Sequence, residues 1–183
     1  MVPVRSPRRR PRVSPQPDGL SPVAGEDPVV LILGSFPGRL SLASREYYGN
    51  AQNHFWMIME ELFSLDRSLP YPERCARLAG RGIALWDVVS VCSRGGSADS
   101  TIRNPRFNNL EGFLLLHPTV RLIALNGTTA GRYYAESRAR TAAVPSVILP
   151  STSPANARLS LPEKMRIWDI VRITCEKNAA TRE

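Results

Sequence analysis

Two short segments carry residue types that could do chemistry: Gly34-Ser35-Phe36-Pro37-Gly38 and the stretch 149–158, Leu-Pro-Ser-Thr-Ser-Pro-Ala-Asn-Ala-Arg. Each follows an apolar run that reads as the end of a buried strand. Together they offer hydroxyls, an amide, a guanidinium and the free backbone N–H groups of a loop. Such donors suit phosphates and a polar heterocycle better than a lipid or an apolar peptide. Ser35, Ser151 and Ser153 are placed to hold phosphates through their hydroxyls and the neighbouring N–H groups. The first segment has neither the six-residue glycine fingerprint of dinucleotide sites nor the lysine-ended loop of nucleoside triphosphatases. Far apart in sequence, the two segments are expected to build one site.

The elements that must position them follow from periodicity. Short apolar runs at 29–33, 83–86, 120–125 and 146–149 read as strands covered on both faces. Helices are expected over 54–63, where Phe55, Ile58, Met59 and Leu62 share helical spacing, and over 108–116, 127–138 and 161–175. This alternation predicts an α/β fold, a three-layer α/β/α sandwich around a mostly parallel four-stranded sheet. Ligands of such sheets bind beyond the carboxyl ends of the strands. There the sequence places Gly34 to Gly38, Asp87 with a polar loop at 93–100, Asn126-Gly127-Thr128-Thr129, and Pro150 to Pro154. Trp56, Trp86 and Trp168 fall inside the periodic apolar segments and are expected in the core.

At 183 residues the chain suits one domain, expected over 27–183. Before it, residues 1–26 hold Arg5, Arg8, Arg9, Arg10 and Arg12 among six prolines and are expected to be a disordered tail. That tail reads equally as a DNA-tethering arm, a targeting presequence or an inert extension. The formal charge is +8 and the cations are almost all arginine, only Lys164 and Lys177 being lysines. A polyanionic partner fits, since the arginine fork donates two hydrogen bonds to phosphate, although a GC-rich coding sequence yields the same composition. No apolar run approaches the ~18 residues that span a bilayer, so a soluble, cytoplasmic protein at the nucleoid with no membrane partner is expected. Cys75, Cys92 and Cys175 form no C-x-x-C pair and are expected as reduced apolar fillers, with no metal site.

GSFPG at 34–38, YYGNAQNHFW at 47–56, GIALWDVV at 82–89 and LPSTSPAN at 149–156, in this order, resemble the hypoxanthine-DNA (deoxyinosine) glycosylase branch of the uracil-DNA glycosylase superfamily. The likeness runs over about residues 28–175. It implies a small monomeric enzyme that flips a deaminated base out of single- or double-stranded DNA and hydrolyses its N-glycosidic bond. An abasic site is left, and no metal, cofactor or lyase step is used. Hypoxanthine is the leading substrate and uracil the close competitor, because both present a carbonyl beside a ring N–H. A non-catalytic protein that binds damaged DNA is the alternative of another class. A nucleotide hydrolase would need a metal-binding acidic cluster, for which Asp87 and Asp99 are thin support.

Cleavage passes through a sugar of oxocarbenium character and a departing base bearing negative charge, so it needs a held water and donors facing the base. Uracil-removing relatives carry Asp or Asn third in the first motif; here that residue is Phe36, which can stack on a base but cannot hold water. The resemblance gives the catalytic role to Asn53, the asparagine of the YYG-x-x-QN-x-FW segment. Taken alone, Asn53 reads as the cap of a helix beginning at His54, and the two roles are compatible. His54 is expected as an exposed first-turn residue, and Leu149 stands where classical uracil enzymes have a histidine. Asp87 sits at the place of a base-reading asparagine. Its carboxylate would accept from N1–H of hypoxanthine or N3–H of uracil, or else it caps the next turn or pairs with Arg94. Tyr48, in preference to Tyr47, is expected to line the base pocket. Asn156 and Arg158 lie in the loop that relatives push into the duplex, with Arg158 the wedge or phosphate clamp.

Overall fold

The computed structural model describes residues 18–93, 101–137 and 144–180. Strand β1, Val30–Gly34, is buried at every position, so it needs cover on both faces. It lies between β2, Ile83–Asp87, and β5, Leu122–Asn126, and β6, Ser146–Leu149, completes a parallel sheet of order β2-β1-β5-β6. Alternation along the strands then divides the core. Val30, Ile32, Ile83, Leu85, Leu122 and Ala124 pack under α2 (Phe55–Phe63), α3 (Tyr71–Gly80) and α6 (Leu161–Ala180). Leu31, Leu33, Ala84, Ile123 and Leu125 pack under α4 (Leu110–Leu116) and α5 (Thr128–Ser137). The three-layer α/β/α sandwich around a four-stranded parallel sheet is therefore present, with the strands at the expected places. Trp56 and Trp168 are buried in the first of these cores and Trp86 is partly buried beside both.

Three elements exceed the expectation. A short helix α1, Arg39–Ser44, follows the first loop, and α3 occupies a stretch in which Leu78 is the buried residue. An antiparallel pair of β3, Val89–Ser93, and β4, Arg103–Phe107, follows Asp87; the polar loop expected at 93–100, Arg94 included, lies outside the described residues but for Ser93. The tail boundary at residue 26 also moves. Gly19 N–H donates to Ser90 O at 2.7 Å, Val23 and Leu85 exchange two backbone bonds of 2.9 and 2.8 Å, and Leu20 is 7% exposed. The cause is the edge of the sheet: β2 has a row of N–H and C=O groups that require partners, and Val23 covers part of it. The rest of the expected tail, residues 1–17, lies outside the described residues.

After β1 the chain turns to β2 on one side, and β5 returns on the other. The carboxyl ends of β1 and β5 thus flank the switch point at which open α/β sheets hold ligands.

Candidate active site

Register aligns one row of residues at this end of the sheet. Gly34 pairs with Asp87, Leu33 with Leu125 just before them, and Asn126 with Leu149. By alternation Gly34, Asp87 and Asn126 face the α2/α6 side. Gly34 is required there because a Cβ would overlap Asp87 Oδ1. The Asp87 residue is 4% exposed, and its carbonyl accepts from Asn108 Nδ2 at 2.8 Å.

Tyr48 closes the row from the loop before α2. Its φ of 56° is left-handed, a conformation that costs a bulky residue roughly 1–3 kcal/mol and persists where the surroundings over-determine it. Two contacts do so: the ring stacks on Phe55 at 3.8 Å between centroids, and the hydroxyl accepts from Asn126 Nδ2 at 3.1 Å. Burial raises the phenol pKa far above its usual value, partly offset by the Asn126 bond, so the group stays a neutral hydroxyl with a proton to donate. Tyr47 has a different task, since it is buried, donates its hydroxyl to Leu20 O at 3.2 Å and belongs to the core.

Asn126 has every amide group engaged. Its Oδ1 accepts from Thr152 N at 2.9 Å and its Nδ2 donates to Thr152 Oγ1 at 2.9 Å as well as to Tyr48. Thr152, fully buried, passes the connection on: its carbonyl accepts from His54 N at 3.0 Å. The start of α2 is thereby fixed to the strand ends. Asn53 Oδ1 accepts from Phe55 N at 3.0 Å; the cap of α2 falls one residue later than expected, on His54, whose side chain makes no cap bond, so the Asn53 bond closes the turn just before the helix. The second lone pair of Oδ1 and both Nδ2 protons of this half-buried side chain have no partner among the described residues. The amide can therefore still bind a water while its position is fixed.

His54 is not the exposed residue expected. It is half-buried, with Nδ1 3.4 Å from Nζ of Lys164, and burial together with that ammonium depresses its pKa. Lys164 is fully buried and also donates to Asn156 O at 2.9 Å. The loop between β6 and α6 is otherwise self-supporting: Ser151 Oγ accepts from Ser153 N at 3.2 Å, Ser153 Oγ from Ala155 N at 3.3 Å, and Asn156 Nδ2 donates to Ser151 O at 3.1 Å. The hydroxyls of Ser151 and Ser153 serve here as acceptors within the loop. Arg158 extends exposed beyond it.

The structure thus gathers Tyr48 and Asp87 at the strand ends, with Asn53 just before α2 and the 151–158 loop bonded to the start of that helix. Phe36, 5% exposed, packs in the α4/α5 core, whereas Tyr48 joins the α2/α6 core. Ser35 is also nearly covered, 8% exposed, with its carbonyl accepting from Val89 N at 3.0 Å. Asn126, Thr152 and Lys164 were not singled out from the sequence. A cleft of about 540 Å³ bounded by Asp27, Arg81, Arg172 and Glu176 lies at the opposite, amino-terminal end of the sheet and holds none of these residues.

The fold and this row of residues correspond to a known class. The pattern of the uracil DNA glycosylase superfamily matches residues 22–172, and the chain belongs to that superfamily. It is 36% identical over 154 residues, 84% of this chain and 96% of the relative, to the hypoxanthine DNA glycosylase of Methanosarcina acetivorans. It is 34% identical over 151 residues, 82% of this chain and 94% of the relative, to the hypoxanthine DNA glycosylase of Methanosarcina barkeri. The solution NMR structure of a candidate uracil DNA glycosylase from Methanosarcina acetivorans superposes with a TM-score of 0.76 at 34% identity, covering 88% of this chain and 99% of that one.

Proposed function

We propose that the chain is a monofunctional DNA glycosylase that removes hypoxanthine from deoxyinosine in DNA, working as a monomer and leaving an abasic site. What carries the reading is the Asn53 amide: it is held by its bond to Phe55 N, has a lone pair and two protons without a partner among the described residues, and stands just before the helix whose Phe55 stacks on Tyr48. The near-full-length likeness to two proteins named hypoxanthine DNA glycosylase supports the same choice of base.

In this reading Asn53 Oδ1 accepts from the attacking water and aligns it on the sugar carbon. Water adds to that carbon as the N-glycosidic bond breaks and the electron pair leaves with the base; the proton shed by the water passes to solvent, and the base anion takes one up, so that free base and an abasic sugar result. The amino-terminal end of α2 carries partial positive charge and lies where that negative charge collects. The Asp87 carboxylate accepts from N1–H of hypoxanthine, which selects a base with a protonated ring nitrogen beside its carbonyl. Tyr48, rather than Phe36, is the aromatic wall of the pocket. Ser151, Ser153 and Arg158 hold backbone phosphates around the extruded nucleotide, with Asn156 in the same loop at the duplex. Because N3–H of uracil meets Asp87 in the same way, uracil is the second substrate.

End-labelled duplexes with one deoxyinosine or one deoxyuridine, treated with alkali after incubation, test this. Alkali-dependent cleavage at deoxyinosine, weaker at deoxyuridine and absent in Asn53→Ala, is expected. Tight binding without cleavage at either base would leave the protein as a binder of damaged DNA.

A further inference from the structure

We propose that Lys164 is a positioning residue of this site, a clasp beneath the 151–158 loop that sets where the loop and the start of α2 stand relative to each other. The inference rests on the glycosylase reading and goes beyond it by assigning a residue outside the four sequence motifs.

Lys164 is 0% exposed, which is rare for lysine, and no described carboxylate lies within ion-pair distance. Burying an ammonium without a counter-charge is unfavourable, and an apolar side chain of similar size would serve packing better. What Lys164 touches indicates its use. One hydrogen bond goes to Asn156 O, 2.9 Å, in the loop after β6, and the other to His54 Nδ1, 3.4 Å, next to Asn53. Those are the two segments that build the site, and on this route an α6 side chain joins them directly. The residue before α6 is tied to its first turn: Ser160 N and Oγ both donate to Glu163 Oε2, at 2.8 and 2.6 Å. One turn further, Trp168 Nε1 donates to Pro150 O at 2.9 Å, so α6 grips the loop near both ends. With Lys164 as an ammonium donor, Nδ1 of His54 accepts, and the proposal therefore puts the imidazole proton on Nε2. The charged group facing His54 from α6 is Lys164; from its own helix and from the Thr152 loop it meets backbone groups and Asn53, none of which titrates in the working range.

The test uses the full chain. Single-turnover cleavage of a deoxyinosine duplex and affinity for an undamaged duplex are measured for wild type and Lys164→Met, with ¹⁵N spectra of the His54 imidazole. Wild type should show the Nε2–H tautomer. In Lys164→Met the Nδ1 resonance should shift, the chemical step should slow by about 10²-fold, the loss a misplacement of ~1 Å produces, and undamaged-duplex affinity should stay within about threefold. The thermal midpoint should not fall, which separates positioning from stability. An active wild type with an equally active Lys164→Met overturns the inference, as does an unshifted Nδ1. A wild type inactive on deoxyinosine and deoxyuridine overturns the glycosylase reading, and the clasp's role with it. Should Lys164→Met fail to fold, His54→Ala removes the other end of the clasp; a chemical step about tenfold slower is expected, and an unchanged one counts against the proposal.

Discussion

At the scale of residues, Asn53 has two roles that substitution separates. Asn53→Ala removes both the bond to Phe55 N and the water site: the chemical step should slow by at least about 10²-fold and stability should fall by about 1 kcal/mol in urea melts. Asn53→Asp keeps an acceptor for Phe55 N, so its midpoint should match wild type while its rate differs; equal loss of stability in both variants would show that the bond to Phe55 does not matter. His54 provides a pH signature. Its folded pKa lies below the ordinary value of 6.5, so the unfolded chain takes up the proton first on acidification. The stability gained by keeping the ring neutral is complete above that ordinary value and is lost as pH falls through and below it. The midpoint of His54→Gln should accordingly fall less between pH 8 and pH 5 than that of wild type; parallel curves would contradict this. That the Asn53 side chain would bond backbone at the start of α2 was legible because such bonds are local chemistry, although the helix begins one residue later than expected. Lys164 was not: among Arg166, Lys177 and the acidic residues of α6 it reads as one more solvated cation, and its burial depends on a loop folded over it from elsewhere.

Among elements, the strands of the sheet were legible because each is an apolar run buried on both sides. What escaped was marked by weaker signals. Helix α3 is mostly polar, yet Pro72 at its start, Glu73 in its first turn and Arg77 in its last are ordinary helix punctuation. The β3–β4 hairpin hid behind Pro105, which an edge strand tolerates and a central strand does not. The 18–25 segment belongs with the proline-rich tail in composition but with β2 in structure. Removing residues 1–17 should leave the thermal midpoint unchanged. Removing residues 1–26 should lower it by about 4–8 °C, because Leu20 loses a burial worth about 1.5–3 kcal/mol and the β2 edge is uncovered. Equal midpoints for the two truncations would show that the segment does not hold the domain.

For the whole molecule, a parallel sheet with its switch point between β1 and β5 collects distant segments at one end, so the residues around the site come from a strand end, a helix start and a loop. That segments 34–38 and 149–158 both follow strands of one parallel sheet was foreseen in the sequence. Which side chains of the first segment face the site was not, since Phe36 turned to the opposite core while Gly34 makes room for Asp87. The central claim is that this assembly breaks an N-glycosidic bond with water and Asn53. The most direct test is mass-spectrometric counting of free hypoxanthine released from a deoxyinosine duplex, against abasic sites formed in the same sample. One free base per abasic site with wild type, and none with Asn53→Ala, is the predicted result. Strand cleavage without free base, or undiminished release by Asn53→Ala, would contradict it.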